Sequence, residues 1–218
     1  MDLSSRYRHR CGILAERPLM SSLQDFMISR VRVKMIELFY SNPEEMYYVR
    51  EITRAIKEEI NAVRRELERM IGNGMLRSEE RGNRLYYQLN TRYLYHQELQ
   101  QMVVKSSGLG SRIRKLRRKL GQVTFVMFSG KFVRGMTASQ GEVDLLVVGD
   151  VVLPELEDLI KKEEKKLERE INYAVFSDEE FEFRKTRRDP FLMDVLYGTR
   201  VMVLGSEIDF VERKIPGL

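Results

Sequence analysis

The sequence is poor in the residues that hold small domains together through covalent bonds or metal ions. Among 218 residues there is one cysteine, Cys11, and no tryptophan. A single cysteine excludes an intrachain disulfide. The two histidines, His9 and His96, stand far apart, so a Cys/His zinc site is not expected. The fold must therefore depend on a hydrophobic core, which 43% hydrophobic residues can supply in a chain of this length.

Long apolar runs are also missing. No stretch approaches the roughly 20 apolar residues that a membrane-spanning helix needs. Arg6, Arg8 and Arg10 are not followed by the apolar segment of a secretory signal. We therefore expect a cytoplasmic protein without a membrane partner. A net charge of +5 and a pI near 9.2 suit an anionic partner without identifying one.

The order of predicted elements divides the chain. Residues 1–28 have no clear period and are interpreted as an arm. Residues 29–90 predict three helices and a hairpin, because apolar side chains at helical spacing end at a glycine-containing stop. Residues 91–120 predict a helical connector. Residues 121–206 predict strands alternating with helices, and 207–218 a tail, so that the whole chain is of the α+β class with a mixed sheet.

The stretch "EITRAIKEEINAVRRELERMIGNGMLRSEERGNRLYYQLN" carries a resemblance to winged helix-turn-helix regulators of the ArsR and MarR type. The resemblance implies a transcription regulator that binds double-stranded DNA as a homodimer reading two half-sites. If the third helix buries its apolar side, the opposite side presents cations and an amide that can read guanine and adenine. Hairpin arginines are suited to backbone phosphates. The predicted DNA-binding residues are Asn61, Arg64, Arg65, Arg69, Arg77, Arg81 and Arg84.

Two other interpretations of the first half stay open. Residues 29–90 hold 12 Lys/Arg and 10 Asp/Glu, so the unit is not strongly basic and the helix face could simply be solvated. Winged helices also serve as protein-binding modules. The connector segment "SRIRKLRRKL" has six cations and no acid. It fits either a phosphate contact or a soluble connector helix.

The second half resembles the minimal nucleotidyltransferase domain of the DNA polymerase β-like superfamily. The resemblance is carried by "QMVVKSSGLGSRIRKLRRKL", "FVMFSGKFVRG", "GEVDLLVVGDV", "REINYAVFSDEEF" and "DPFLMDVLYGTRVMVLGS". The chain is similar to prokaryotic proteins in which this domain follows a winged helix. The resemblance implies Mg²⁺ and ATP or another nucleoside triphosphate as ligands. Glu142 and Asp144 would hold the metal and serve catalysis, since side chains two apart on a strand share a face. The nucleotide-binding residues would be Ser129, Gly130, Arg134 and Gly135.

Three departures from the family pattern predict impaired catalysis. Ser129 and Gly130 stand in inverted order, Glu142 replaces the usual Asp, and Asn172 and Tyr173 stand where a third carboxylate is sought. The loss of one well-placed electrostatic group costs about 3 kcal/mol in catalysis. The favoured hypothesis is a regulator whose degenerate, inactive second domain serves dimerisation or nucleotide sensing. The alternatives are an active, antitoxin-like nucleotidyltransferase acting on a protein or nucleic-acid hydroxyl, and a purely structural module in which Glu142 and Asp144 are solvated strand-end acids.

Overall fold

A computed structural model of the protein describes residues 27–139 and 141–212. Residues 1–26 of the expected arm and residues 213–218 of the expected tail lie outside the described residues. The described part has ten helices and seven strands, and it is of the α+β class that the sequence predicted. None of these helices is long and apolar enough to cross a membrane.

The first half has the predicted order of three helices and a hairpin. Its three strands form a small antiparallel sheet in the order β1-β3-β2, in which Tyr47 lies opposite Tyr87. A strand of two residues, Tyr47 and Tyr48, lies between the first and second helices. The elements are α1 (Arg30–Ser41), β1 (Tyr47–Tyr48), α2 (Val49–Ile56), α3 (Ile60–Gly72), β2 (Leu76–Arg81) and β3 (Arg84–Leu89).

Helix α3 forms because a cap and an apolar side support it. The Glu59 carboxylate accepts hydrogen bonds from the Asn61 and Ala62 amides at the helix start, which otherwise lack partners. Val63 and Leu67 are buried one turn apart against α1 and α2. The chain leaves the helix through Gly74 at φ +79°, a left-handed conformation that favours glycine. The hairpin then folds back over the same core.

The connector region is packed between the two halves of the chain. It contains α4 (His96–Ser106) and α5 (Gly108–Leu116). Leu99 and Val103 of α4 belong to the core of the first half, whereas Val104 packs against the core of the second half. Gln100 also donates a hydrogen bond of 3.1 Å from Nε2 to the Val133 carbonyl oxygen. Helix α4 is therefore shared by both cores.

The second half is built on a four-stranded mixed sheet of order β6-β5-β4-β7. Strands β5 and β6 are parallel, and the other two pairs are antiparallel. The sheet confirms the mixed arrangement predicted from sequence. The elements are β4 (Gly121–Ser129), α6 (Gly130–Val133), β5 (Leu145–Val151), α7 (Leu153–Leu167), β6 (Tyr173–Phe176), α8 (Asp178–Arg187), α9 (Pro190–Tyr197), β7 (Arg200–Leu204) and α10 (Glu207–Val211).

Helices cover both faces of this sheet. Successive strand side chains point to opposite faces, so each strand contributes to two cores. On one face the strands pack against α5 and α7, and on the other against α8, α9 and α10. Helix α10 lies in the segment expected to be a tail, and its Phe210 is fully buried against Phe125 and Phe181. Helical periodicity does not predict this helix, because α10 has only five residues and is held mainly by one aromatic side chain.

Candidate functional site

The exposed side of α3 carries the predicted row of polar residues. Asn61, Arg64, Arg65 and Arg69 are all exposed, and the buried side chains of the helix point the other way. We call these four residues the α3 face. The structure thus places them together on one surface, as the helical spacing predicted. None of them is covered by the second half of the chain.

The members of the α3 face differ in their partners. Arg69 Nη1 lies 3.6 Å from Oε2 of the buried Glu66, which also pairs with Arg32 of α1. Arg64 and Arg65 make no ion pair with any described residue. At the helix cap, two backbone amides and, after them, Arg65 and Arg64 hold the pKa of Glu59 below its usual value. Arg64 and Arg65 are therefore the cations of this face most available to a ligand.

The three predicted hairpin arginines are exposed but held by neighbours. Arg81 pairs with Glu79 at 2.9 Å, and Arg77 Nε donates to Asn90 Oδ1 at 3.0 Å. The Arg84 guanidinium lies over the Tyr48 ring, 4.6 Å from its centroid. Each contact fixes a side chain whose charge still faces solvent.

The structure also places two further arginines near the hairpin that the sequence reading did not select. Arg50 and Arg54 are exposed on α2, and with Tyr48 and Thr53 they line a cleft of about 380 Å³. Their spacing of four residues was the available signal, since it places both on one side of a helix. This spacing alone does not indicate a site, because Tyr48 comes from β1 and Arg84, which lies over its ring, comes from β3.

The Ser129–Gly130 turn connects β4 to the short helix α6. The Ser129 hydroxyl accepts a hydrogen bond from the Phe132 amide, so it caps this turn. The Gly130 amide donates to the Thr199 carbonyl oxygen at 2.6 Å. A Cβ at position 130 would lie 2.0 Å from Thr199 Oγ1. The contact with Thr199, just before β7, is sufficient reason for glycine at this position.

The expectation that Glu142 and Asp144 lie on a strand is wrong. Strand β5 begins at Leu145, and both acids precede it. Alternation along a strand therefore does not aim the two carboxylates at one point. Glu142 is exposed, whereas Asp144 is 1% exposed. The Asp144 amide donates to the Asn172 carbonyl oxygen, and the Asp144 carbonyl oxygen accepts from the Ser129 amide.

Glu142 is bound by Lys131 of α6 and by Ser139 of the loop that precedes it. Both of its carboxylate oxygens accept hydrogen bonds from Lys131 Nζ, at 2.6 and 2.7 Å, and one accepts from the Ser139 amide at 2.8 Å. The Lys131 bond, and after it the Ser139 amide, hold the pKa of Glu142 below its usual value. This carboxylate is neutralised locally by a cation of the chain.

Asp144 has its own cation. Its Oδ2 accepts from the Asn172 amide at 3.1 Å and lies 3.6 Å from Arg169 Nη1. Burial raises the pKa of Asp144, and the Asn172 amide and Arg169 oppose that rise only in part. The buried Oδ1 has no hydrogen-bond partner among the described residues. We call Glu142, Asp144 and their cations Lys131 and Arg169 the acid pocket.

The acid pocket fits a divalent metal poorly. Magnesium sites rely on carboxylates whose charge is free to balance the ion. Here Lys131 and Arg169 already balance the two acids. Asn172 and Tyr173 provide no third carboxylate, and no group of three or more potential ligands is present within residues 27–139 and 141–212. Arg134 and Gly135 are exposed at the end of α6, beside the turn.

Comparison with known proteins identifies no family. No protein-family model matches the chain, and no curated protein matches its sequence. A solved structure, a possible transcriptional regulator from Methanosarcina mazei Go1, matches with a TM-score of 0.30 and 11% identity. The match covers 43% of this chain and 80% of that one. A likeness of this size carries no inference about this chain.

Proposed function

We propose that this protein is a DNA-binding transcription regulator of the winged helix-turn-helix type. The observation that carries the proposal is the α3 face: Asn61, Arg64 and Arg65 are exposed together on a helix whose other side is fully buried. Three helices followed by a hairpin is the element order of such regulators. Arg64 and Arg65 have charge available for an anion, which a purely solvated face with internal ion pairs would lack.

The geometry supports reading of the major groove by α3. An α-helix fits this groove, where arginine pairs with guanine through two hydrogen bonds and asparagine with adenine. The hairpin arginines, Arg77, Arg81 and Arg84, would contact phosphates beside the groove and fix the register. A homodimer would place two such helices on two half-sites.

The second half is proposed to be a nucleotidyltransferase-like domain without transferase activity. Support comes from the acid pocket, in which each carboxylate is met by a cation of the chain. The domain would serve dimerisation or nucleotide sensing, with Ser129, Gly130, Arg134 and Gly135 as phosphate contacts. A bound nucleotide would regulate DNA binding only if it had different affinities for two arrangements of the protein.

The experiment measures DNA binding by fluorescence anisotropy, using fragments selected from a random pool and unrelated duplexes. We expect Arg64→Ala/Arg65→Ala to weaken binding to selected DNA by about tenfold to a hundredfold and to reduce sequence preference. Lys165→Ala/Lys166→Ala on α7 is the control, because it removes the same charge from exposed positions of the second half. Equal losses in the two variants, or no binding by the unchanged protein, would contradict the proposal.

An active nucleotidyltransferase remains the second candidate because of one observation. Asp144 Oδ1 is buried without a hydrogen-bond partner among the described residues, which leaves an acceptor available to a ligand. The test incubates the full chain with labelled ATP, Mg²⁺ and candidate protein or RNA acceptors. Transfer of label that Asp144→Ala abolishes would establish the activity and overturn our preference for an inactive domain.

A further inference from the structure

A cleft at the start of α2 is formed by this helix and by Tyr48 of β1. It has a volume of about 380 Å³ and is lined by Tyr48, Arg50, Thr53 and Arg54. We call it the α2 cleft. Its volume is near the lower end of small-ligand pockets, and two of its four lining residues are arginines. The α2 cleft thus suits a small, charged group.

Cations from two elements of the fold meet around one aromatic ring. Arg50 and Arg54 come from α2, and Arg84 comes from β3, where its guanidinium lies 4.6 Å from the Tyr48 ring centroid. Arg54 Nη2 donates to the Tyr48 hydroxyl at 3.4 Å. The ring is itself held edge-on by Tyr86, with 5.7 Å between the ring centroids. A stacked guanidinium keeps its N–H edges free for hydrogen bonds.

The charge of this cluster is not balanced internally. Arg50, Arg54 and Arg84 form no ion pair with any residue in the described part of the chain. The acid within the same helix turn, Glu51, accepts a hydrogen bond from the Tyr48 amide at 3.1 Å and so serves as the helix cap. Glu58 beyond the end of α2 is already paired with Arg30 and Lys34. Neither of these two acids forms an ion pair with Arg50, Arg54 or Arg84.

We propose that the α2 cleft binds a phosphate group of the DNA backbone. The proposal rests on the proposed function and adds a contact site to it. Guanidinium groups bind phosphate through paired, charge-assisted hydrogen bonds, which matches the chemistry of Arg50 and Arg54. A free nucleotide offers the same phosphate chemistry. The backbone is favoured because Arg84 of the hairpin lies over the ring of Tyr48, which lines the cleft, so that the cleft lies beside the hairpin.

The test compares full-length variants that differ in the position of the lost charges. Arg50→Gln/Arg54→Gln removes the two cleft cations from α2, and Lys165→Gln/Lys166→Gln removes two exposed cations from α7 as the matched control. Dissociation constants are measured by anisotropy between 50 and 200 mM salt, on a selected duplex and an unrelated duplex. Circular dichroism confirms that each variant is folded.

The expected result is a loss of about tenfold at 100 mM salt that is equal for the two duplexes. The magnitude of the slope of log K against log salt should also decrease by about 1 to 2. The loss of one or two phosphate contacts reduces the number of counterions that binding releases. Arg50→Lys/Arg54→Lys should lie between the unchanged protein and the glutamine variant, since lysine keeps the charge but not the paired hydrogen bonds. The control should change neither the affinity nor the slope by more than about twofold.

The possible failures are distinguishable. If Arg64→Ala/Arg65→Ala loses DNA binding while Arg50→Gln/Arg54→Gln behaves like the α7 control, the α2 cleft is not a backbone site and the proposed function stands. If the unchanged protein binds no DNA, both proposals fail. Calorimetry with ATP and no metal addresses the other source of phosphate. Saturable binding that Arg50→Gln/Arg54→Gln abolishes, with DNA affinity unchanged, would assign the cleft to a free nucleotide and overturn the backbone proposal.

Discussion

The α3 face and the acid pocket treat charge in opposite ways. On α3, Arg64 and Arg65 are exposed and have no ion-pair partner among the described residues. In the acid pocket, Glu142 is met by Lys131 and Asp144 by Arg169. A surface with unbalanced cations is prepared for an external anion, whereas a pocket that balances its own acids has little to offer an external cation. Substitutions in the α3 face should therefore change DNA affinity, whereas substitutions in the acid pocket should change the stability of the fold.

The largest effect is expected from removal of the cation that serves Asp144. Arg169→Ala leaves a carboxylate that is 1% exposed without its charge partner, and it also removes the guanidinium stacked 5.1 Å from the Phe132 ring centroid. Loss of one member of a buried pair costs about 3 kcal/mol. Urea unfolding at neutral pH measures the loss.

Two controls sharpen this prediction. Lys166→Ala removes an exposed cation of α7 and should change the free energy of unfolding by less than about 0.5 kcal/mol. Arg169→Ala/Asp144→Asn should recover most of the loss, since the unpaired charge is then gone. An additive double variant would mean that Arg169 stabilises the fold through packing and not through Asp144.

A smaller effect of opposite sign is expected for Asp144→Asn. Burial raises the pKa of Asp144 in the folded state, so the ionised carboxylate lowers stability at neutral pH. The Asn variant should be more stable at pH 7, and its advantage should shrink as the pH falls through the folded pKa toward about 4, where the native carboxyl is protonated. Urea unfolding at several pH values measures the difference. An advantage that is independent of pH would show that burial of the charge is not its cause.

Within the α3 face, Arg69 should matter less than its neighbours. Its guanidinium is near the buried Glu66, whereas Arg65 has no such partner among the described residues. We expect Arg69→Ala to weaken DNA binding by about threefold or less and Arg65→Ala by about tenfold. Anisotropy on one selected duplex compares the two. A larger loss for Arg69→Ala would mean that the pair with Glu66 opens when DNA binds.

The smallest effect is expected in the hairpin. Glu79→Gln frees Arg81 from its ion pair, and Glu80→Gln removes a neighbouring acid that has no ion pair with a described residue. Both changes remove one negative charge, so the difference between them reports the release of Arg81. Exposed pairs are weak, and we expect DNA affinity for the Glu79 variant to exceed that for the Glu80 variant by about twofold at low salt. Equal affinities would place Arg81 away from the DNA.

The sequence predicted what depends on local spacing. The exposure of the α3 face can be predicted from Val63 and Leu67 alone. When one side of a helix is buried in the core, the opposite side is left exposed to solvent. The acid pocket was less accessible. Lys131 and Arg169 approach the acids only when the loop and the strands have folded, and the start of β5 at Leu145 depends on hydrogen bonds with other segments. Periodicity contains no information about such partners.

Helix α4 has a consequence for regulation. Leu99 and Val103 belong to one core and Val104 packs on the other. This helix, roughly 16 Å long, is therefore a rigid connection between the two halves and not a flexible linker. If two copies associate through their sheet-containing halves and bind DNA as we propose, the rigid connection through α4 sets the separation of the two α3 helices. Such a dimer would bind weakly to operators whose half-sites are shifted by a few base pairs. A regulator with a flexible linker would bind both spacings.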